Sequence, residues 1–196
     1  MRYPEDISPD DLAGLPLVSY TGEVWQIENG IQLAAAVKQL KLATCLGFDT
    51  ETKPNFKKGK SNHNQVALLQ LADDQRVYLF RLNKIGLPEQ IIDILTNQSV
   101  LKIGVAIHED LSALRKLKVF EDQGFIDLQT YVKPFGITSM SLKKIAAIVL
   151  GVRISKTQQL SNWEGDVLTH QQISYAATDA WLCSQIYHEL NNAQPF

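Results

Sequence analysis

The sequence predicts an α/β domain in which a mixed β-sheet is flanked by helices. Two observations support this class. Three strand-type segments follow one another early in the chain, as in an antiparallel meander, and strands then alternate with helices. A chain of 196 residues with 45% hydrophobic content can bury one substantial core. We therefore predict a single domain over residues 1–196, with helices on both faces of the sheet.

The first half of the chain supplies an arm, a helix and the meander. Residues 1–20 are rich in Pro, Asp and Gly, and we expect an N-terminal arm without chemistry, laid over the domain or partly disordered. Apolar residues recur at helical spacing from Ile31 to Lys41. Three strand-type segments come next: 42–50, 66–72 and 77–80.

The second half alternates helices and strands. The patterns predict, in chain order, a helix at 88–96, a strand at 100–105, a helix at 109–117 and a strand at 125–128. Ser141 begins a further helix that should end at Gly151. Thr169 and Gln172 form a capping box that opens a last, long helix ending near Leu190.

Charge and composition narrow the function classes. The formal net charge is −2, so the protein is no polycation that coats nucleic acid, and any phosphate binding must be local. Cys45 and Cys183 lack the paired spacing of a zinc site or a disulfide framework, which favours reduced core cysteines. No signal peptide is recognisable, and no apolar run approaches the roughly 18 residues of a membrane span. We expect a soluble, cytoplasmic protein without a membrane partner.

Two carboxylates separated by one residue end a predicted strand. Asp49 and Glu51 follow the apolar run Leu46-Gly47-Phe48, and strand side chains two apart share a face. Without a cation they would repel each other and lose hydration, at a cost on the order of several kcal/mol. Mg²⁺ or Mn²⁺ suits them, because hard cations take oxygen ligands. The pair alone is a weak signal that an ordinary exposed strand end would also give.

Three further residues extend this cluster. Tyr175 and Asp179 are four apart on the predicted last helix and therefore share one face. Asp110 falls in the first turn of the helix after strand 100–105. It can reach Asp49 only if strand 100–105 is a neighbour of the predicted strand 42–50, which carries Asp49. His108 with Glu109 does not form a zinc-protease motif, because Ser112 stands where that motif needs its second histidine.

Taken in order, these motifs resemble the 3′-5′ exonucleases named for their four acidic residues, in the subgroup with a tyrosine in the last motif. Within it the chain is most similar to the Werner-type exonuclease domains and to ribonuclease D. The resemblance runs from about Gly30 to Leu190. It rests on Gly47-Phe48-Asp49-Thr50-Glu51, on 102–110, on Lys156 with 159–163, and on Tyr175-Ala176-Ala177-Thr178-Asp179-Ala180. Ser174 stands where the sister subgroup has a histidine.

The resemblance implies a ribonuclease H-like fold and hydrolysis that releases nucleoside 5′-monophosphates from the 3′ end of DNA or RNA. It also implies two divalent ions, Mg²⁺ or Mn²⁺, held by four carboxylates: Asp49, Glu51, Asp110 and Asp179. Tyr175 would position the attacking water. Ribonuclease D typically carries further helical domains after the last motif, whereas this sequence ends at Phe196. We therefore expect a standalone, Werner-like enzyme that favours DNA slightly.

Other polar residues are candidates for substrate contact, each with a plainer interpretation. Phe56, Lys57, Lys58 and Lys60 form either a solvated run of charge or a loop that attracts the phosphodiester backbone and stacks on a base.

Thr50, His108 and Lys156 are further candidates, with Lys102 as a fallback phosphate contact, and Trp163 is expected to pack in the core. Two alternatives to a DNA exonuclease stay open. One is an exoribonuclease acting on structured RNA or short oligonucleotides, and the other is an inactive ribonuclease H-like binding module.

Overall fold

The computed structural model describes residues 3–52 and 65–193, and it confirms the mixed α/β architecture. In this part of the chain, six strands form one sheet in the order β1-β4-β3-β2-β5-β6. Their bounds are β1 Glu23–Ile27, β2 Cys45–Thr52, β3 Val66–Ala72, β4 Arg76–Arg81, β5 Leu101–Gly104 and β6 Phe125–Asp127. Strands β2, β3 and β4 pair antiparallel, as the predicted meander requires. Strands β1, β5 and β6 join the sheet in parallel.

The described part of the chain contains the five predicted helices, with ends close to the predicted residues, and three short α-helices that were not predicted, over 9–14, 82–85 and 128–131. They are α1 Pro9–Gly14, α2 Gly30–Leu40, α3 Leu82–Ile85, α4 Glu89–Leu95, α5 Ile107–Leu117, α6 Leu128–Tyr131, α7 Leu142–Leu150 and α8 His170–Asn192. The Ser141 side chain caps α7, and Gly151 ends it in the left-handed conformation. Thr169 and Gln172 form both bonds of the predicted capping box at α8. None of the described helices is long and apolar enough to cross a membrane.

Both faces of the sheet are buried, each by its own set of helices. On one face, α2, α4 and α5 pack against alternate sheet residues that include Leu46 and Phe48 of β2. On the other face lies α8, with α7 beside it, against residues such as Ile103 and Leu79. Successive residues of a strand therefore project into different layers, which decides where each functional side chain points.

Two features of the N-terminal part differ from the sequence prediction. Strand β1 was not predicted, because its residues are mostly half-exposed and show no clear alternation. It forms an edge of the sheet by pairing in parallel with β4. The arm contains the short helix α1, capped by Ser8, which was not predicted. It lies over the domain, one of the two expected arrangements, and Leu17 forms a parallel bridge with Arg153.

Candidate active site

Helix α8 crosses strand β2 at Gly47, where the two backbones almost touch. A Cβ atom on Gly47 would lie 1.8 Å from the carbonyl oxygen of Ala180, so this crossing requires glycine. Asp49 follows Gly47 by two residues, on the same face of the strand, and Asp179 immediately precedes Ala180. The close crossing therefore brings a strand carboxylate and a helix carboxylate to one place.

Three of the four predicted acidic residues form a tight cluster at this crossing. Asp49, Glu51 and Asp179 each offer an oxygen atom, and these atoms all lie within 4.8 Å of one another. Glu51 and Asp179 are buried, and the Oδ1 atom of Asp179 has no hydrogen-bond partner among the described residues. Tyr175 lies one helical turn before Asp179, as its spacing predicts.

Burial and mutual repulsion disfavour the charged forms of these carboxylates. The pKa of Asp49 is well above its ordinary value because of desolvation and the neighbouring carboxylates. The same causes raise the pKa of Glu51 to about 9. Burial raises the pKa of Asp179 to about 7, against the opposing effects of a hydrogen bond from Tyr175 and the charge of Lys156. Burial and the charge of Asp179 also raise the pKa of the Tyr175 hydroxyl.

The cluster fits a hard divalent cation. Its donors are all carboxylate oxygens, and one of them, Asp179 Oδ1, is buried without a partner in the described structure. A cation would satisfy that oxygen and relieve the repulsion that raises the pKa values. The donor set is therefore compatible with Mg²⁺ or Mn²⁺, while the identity and number of ions stay predictions.

Asp110 reaches the same region from the other face of the sheet. It lies in the first turn of α5, which packs on the face opposite α8. Strands β2 and β5 are parallel neighbours, so the condition for convergence is met. Asp110 does not belong to the group within 4.8 Å among the described residues, and its carboxylate instead accepts a hydrogen bond from the Thr50 hydroxyl. Burial raises its pKa to about 6, and the Thr50 bond opposes that shift.

A cleft of about 350 Å³ opens over the carboxylate cluster and Tyr175. Its lining includes Asp49, Thr50, Glu51, Tyr175, Asp179 and Cys183 and, from other segments, Gln129, Lys143, Ser155, Lys156 and Gln159. Two lysines thus share a cleft with an acidic cluster. The sequence analysis missed Lys143, because the pattern of α7 predicts a helix but does not show which surface its first turn lines.

The other predicted contacts are placed differently. Lys156 is exposed at the cleft, close enough for its charge to lower the pKa of Asp179. His108 is exposed on α5 and is not part of the cleft lining in the described structure. The Lys102 fallback is wrong, because this side chain is fully buried and its Nζ donates to the carbonyls of Asn97 and Val100.

Trp163 packs in the core, as predicted, with its ring centroid 6.0 Å from that of Tyr175. The predicted cationic loop, with Phe56, Lys57, Lys58 and Lys60, lies outside the described residues.

Known proteins similar to this chain are nucleases. A family model described as 3′-5′ exonuclease matches residues 25–194. The bifunctional 3′-5′ exonuclease/ATP-dependent helicase WRN of Mus musculus is 33% identical over 153 residues, which are 75% of this chain and 11% of that protein. Ribonuclease D of Haemophilus influenzae is 31% identical over 150 residues, or 75% of this chain and 36% of that one. The chain therefore spans well under two thirds of these relatives.

The fold has a close counterpart among crystal structures. The EXO domain of Aedes aegypti Nibbler matches with a TM-score of 0.77 at 24% identity, covering 89% of this chain and 91% of that domain. The likeness confirms the predicted fold class.

Proposed function

Because the chain belongs to the 3′-5′ exonuclease family, we propose that it removes nucleotides one at a time from the 3′ end of nucleic acid, with DNA slightly favoured. The observation that carries this proposal is the cluster of Asp49, Glu51 and Asp179 beside Tyr175, at the bottom of an open cleft. Hydrolysis would break the bond between phosphorus and the 3′ oxygen. The water oxygen would stay on the released nucleoside 5′-monophosphate, and the new 3′ hydroxyl would take up a proton.

The acidic residues would serve as ligands for two divalent cations. The proposed ligands are Asp49, Glu51, Asp110 and Asp179. When bound, such ions supply an acidified water and charge neutralisation at the leaving oxygen. The protein contributes the positions of the carboxylates, fixed by the Gly47 crossing on one side and by the Thr50 bond to Asp110 on the other.

Tyr175 would orient the attacking water. Its pKa lies above the ordinary phenol value, because burial and nearby carboxylates disfavour a phenolate. The hydroxyl therefore stays protonated near neutral pH and is a poor general base. It can still hold a water by hydrogen bonding, which places the nucleophile in line with the phosphorus.

Lys156 and Lys143 would hold the phosphates of the substrate strand. Both line the cleft, and because the overall charge is −2, attraction for a polyanion has to come from local positive charge such as theirs. Lys156 is also close enough to Asp179 to affect its pKa, so a phosphate beside Lys156 would lie near the carboxylate cluster.

A second candidate is an exoribonuclease, favoured by the 31% identity to ribonuclease D. An inactive binding module is disfavoured, because a protein without turnover gains nothing from three carboxylates held together at raised pKa.

The deciding experiment uses DNA and RNA strands labelled at the 3′ or the 5′ end, incubated with Mg²⁺, Mn²⁺ or EDTA. We expect 5′-labelled strands to shorten one nucleotide at a time and 3′-labelled strands to release labelled mononucleotide at once, in both cases only with metal. Asp49→Asn and Asp179→Asn should nearly abolish both products while the circular dichroism spectrum stays unchanged. Retention of more than a small fraction of the rate by either variant would overturn the assignment.

A further inference from the structure

The N-terminal arm, residues 3–20, contacts elements that line the candidate active site. The family model begins at residue 25, so the arm lies outside the part of the chain that the family match covers. Its first residues contact the segment 135–144, and its later residues contact the segment 152–155 and helix α8. The last two contribute residues to the cleft.

The first contact resembles a short piece of parallel sheet. Leu17 bridges Arg153, the backbone N–H of Val18 donates to the Arg153 carbonyl at 2.9 Å, and the Arg153 N–H donates to the Pro16 carbonyl at 2.9 Å. The Arg153 Nε atom adds a bond of 2.8 Å to the Leu15 carbonyl. Arg153 lies in a segment outside any helix or strand, so these bonds to the arm help to hold it in place.

That segment leads directly into the cleft. Ile154, Ser155 and Lys156 follow Arg153, and all three line the cleft that contains the acidic cluster. A displacement of Arg153 would therefore move Lys156, the lysine whose charge lowers the pKa of Asp179.

The end of the arm is fixed to helix α8. The backbone N–H of Tyr20 donates to the Thr178 hydroxyl at 2.9 Å, and Thr178 immediately precedes Asp179. The Tyr20 ring packs against Trp181, with the centroids 5.7 Å apart. One segment of about three residues thus connects the helix that carries Tyr175 and Asp179 to the segment that leads into Lys156.

A small cavity between these elements shows how close the arm comes to the site. Its volume is about 180 Å³, and its walls include Val18 and Ser19 of the arm together with Ser155, Tyr175 and Asp179. The last three residues also line the main cleft.

We propose that the N-terminal arm positions Lys156 for contact with a substrate phosphate, with Val18 and Arg153 as the positioning residues. The two backbone hydrogen bonds between the arm and Arg153 fix the segment that leads to Lys156. Without them this segment would have to be ordered when the substrate binds, and ordering a loop on binding weakens affinity. The inference rests on the proposed function for the identity of its ligand, a nucleic acid strand.

The test is Val18→Pro in the full chain, which removes the N–H that bonds to Arg153. Leu17, which would precede the new proline, already lies in an extended bridge, so the substitution suits the local backbone. We expect the KM for a labelled oligonucleotide to rise about two- to tenfold, the effect of losing one hydrogen bond, with kcat within about twofold of wild type. The Kd of the same strand without divalent metal, measured by fluorescence anisotropy, should rise by the same factor.

Two controls separate positioning from general loss of stability. Val18→Leu keeps the N–H and should restore the wild-type KM. Tyr3→Leu loosens the far end of the arm, where Tyr3 packs edge-on against Phe135, and should lower the unfolding temperature without raising KM. An equal rise in KM for Val18→Pro and Tyr3→Leu would overturn the proposal.

The route through Lys156 is tested by a double-mutant cycle. If the arm acts by placing Lys156, Val18→Pro should weaken binding much less in a Lys156→Gln background, whereas fully additive effects would contradict the inference. Should Val18→Pro fail to fold, Arg153→Met, which removes the Nε donor to Leu15, takes its place in the cycle. If the Kd of the labelled strand for Arg153→Met depends on salt as the wild-type Kd does, Arg153 is not itself a phosphate contact.

The outcome for the arm is separate from the outcome for the function. If the wild-type protein binds the strand but releases no nucleotide, the proposed hydrolysis fails. The ratio of the Kd of Val18→Pro to the Kd of wild type still decides whether the arm positions Lys156. A wild-type Kd for both Val18→Pro and Arg153→Met overturns the inference even when hydrolysis is observed.

Discussion

Gly47 and Ala180 mark the point on which the geometry of the site depends. The missing Cβ of Gly47 would lie 1.8 Å from the Ala180 carbonyl oxygen, and 3.3 Å from the backbone nitrogen of Ser184. Strand β2 and helix α8 therefore approach each other as closely as two backbones can. Because Asp49 and Asp179 lie within two residues of this contact, their separation is set by the crossing.

Gly47→Ala should consequently destabilise the protein severely. A methyl group at this position meets backbone atoms that cannot rotate away, so α8 must shift. We expect a loss of about 3 kcal/mol in the free energy of unfolding, the upper end of the typical cost of overpacking. Urea denaturation followed by circular dichroism measures the loss. Gly30→Ala is the matched control, since a Cβ there meets nothing within 4 Å at the start of α2, and it should be neutral or slightly stabilising. Equal stability of the two variants would show that the crossing is not tight.

The elements around this crossing could be predicted because their signals are local. The capping box of Thr169 and Gln172 gave the start of α8, and Gly151 gave the end of α7. The same-face placement of Asp49 with Glu51, and of Tyr175 with Asp179, follows from the periods of strand and helix alone.

The features that could not be predicted depend on tertiary contacts. Strand β1 exists because β4 offers it an edge, and no alternation in its own residues indicates this. The separate position of Asp110 follows from α5 packing on the face opposite α8, which the sequence pattern of α5 does not contain. The role proposed for the arm depends on Arg153, which is more than a hundred residues away in sequence from Val18.

Glu51→Gln should stabilise the metal-free protein at alkaline pH. The folded-state pKa of Glu51 is about 9, above its ordinary value of 4.5, so the folded protein holds a proton that the unfolded chain releases. Stability then falls as pH rises from about 4.5 to about 9 and is level outside that window. We expect the free energy of unfolding of Glu51→Gln to exceed that of wild type by roughly 1–2 kcal/mol at pH 8. At pH 4.5 the two free energies of unfolding should be similar.

Thermal and urea unfolding in EDTA at the two pH values measure this difference. Glu121→Gln, at an exposed position on the surface, is the control and should change stability at neither pH. Mn²⁺ should stabilise the wild type at pH 8 more than it stabilises Glu51→Gln, because the variant lacks one ligand and part of the repulsion. A Glu51→Gln protein that is less stable than wild type at pH 8 would contradict the raised pKa of Glu51, which burial and the neighbouring carboxylates cause.

Thr50→Val should weaken metal binding while leaving substrate affinity nearly unchanged. The Thr50 hydroxyl bonds to the Asp110 carboxylate, and valine keeps its shape but not its donor. If Asp110 is a metal ligand, as proposed, loss of such an outer contact should cost about tenfold or more in metal affinity. The Mn²⁺ concentration for half-maximal hydrolysis reports the effect, and Thr50→Ser, which keeps a hydroxyl, should behave like wild type. A raised KM for the nucleic acid at saturating Mn²⁺ would instead make Thr50 a substrate contact.

Tyr175→Phe should lower kcat at least about tenfold with little change in the Kd of the substrate. The ring keeps its contact with Trp163, while the hydroxyl that would orient the water is lost. Single-turnover kinetics with a labelled strand measure the chemical step, and anisotropy measures binding. Tyr131→Phe removes a hydroxyl from helix α6, outside the cleft lining, and should change neither quantity. Normal turnover at saturation combined with lost affinity would assign Tyr175 to binding.

Lys156→Gln should weaken substrate binding and flatten its dependence on salt. Lys156 is exposed in the cleft, and each lysine that neutralises a phosphate of a single strand contributes about 0.7 to the slope of log affinity against log salt. Anisotropy titrations of a short single strand between about 50 and 200 mM salt measure the slope. Lys38→Gln removes the same charge from the exposed side of α2, so it corrects for net charge and should leave the slope unchanged. If the two variants lowered affinity equally, Lys156 would act only through the overall field, and Lys143 would be the phosphate contact to test next.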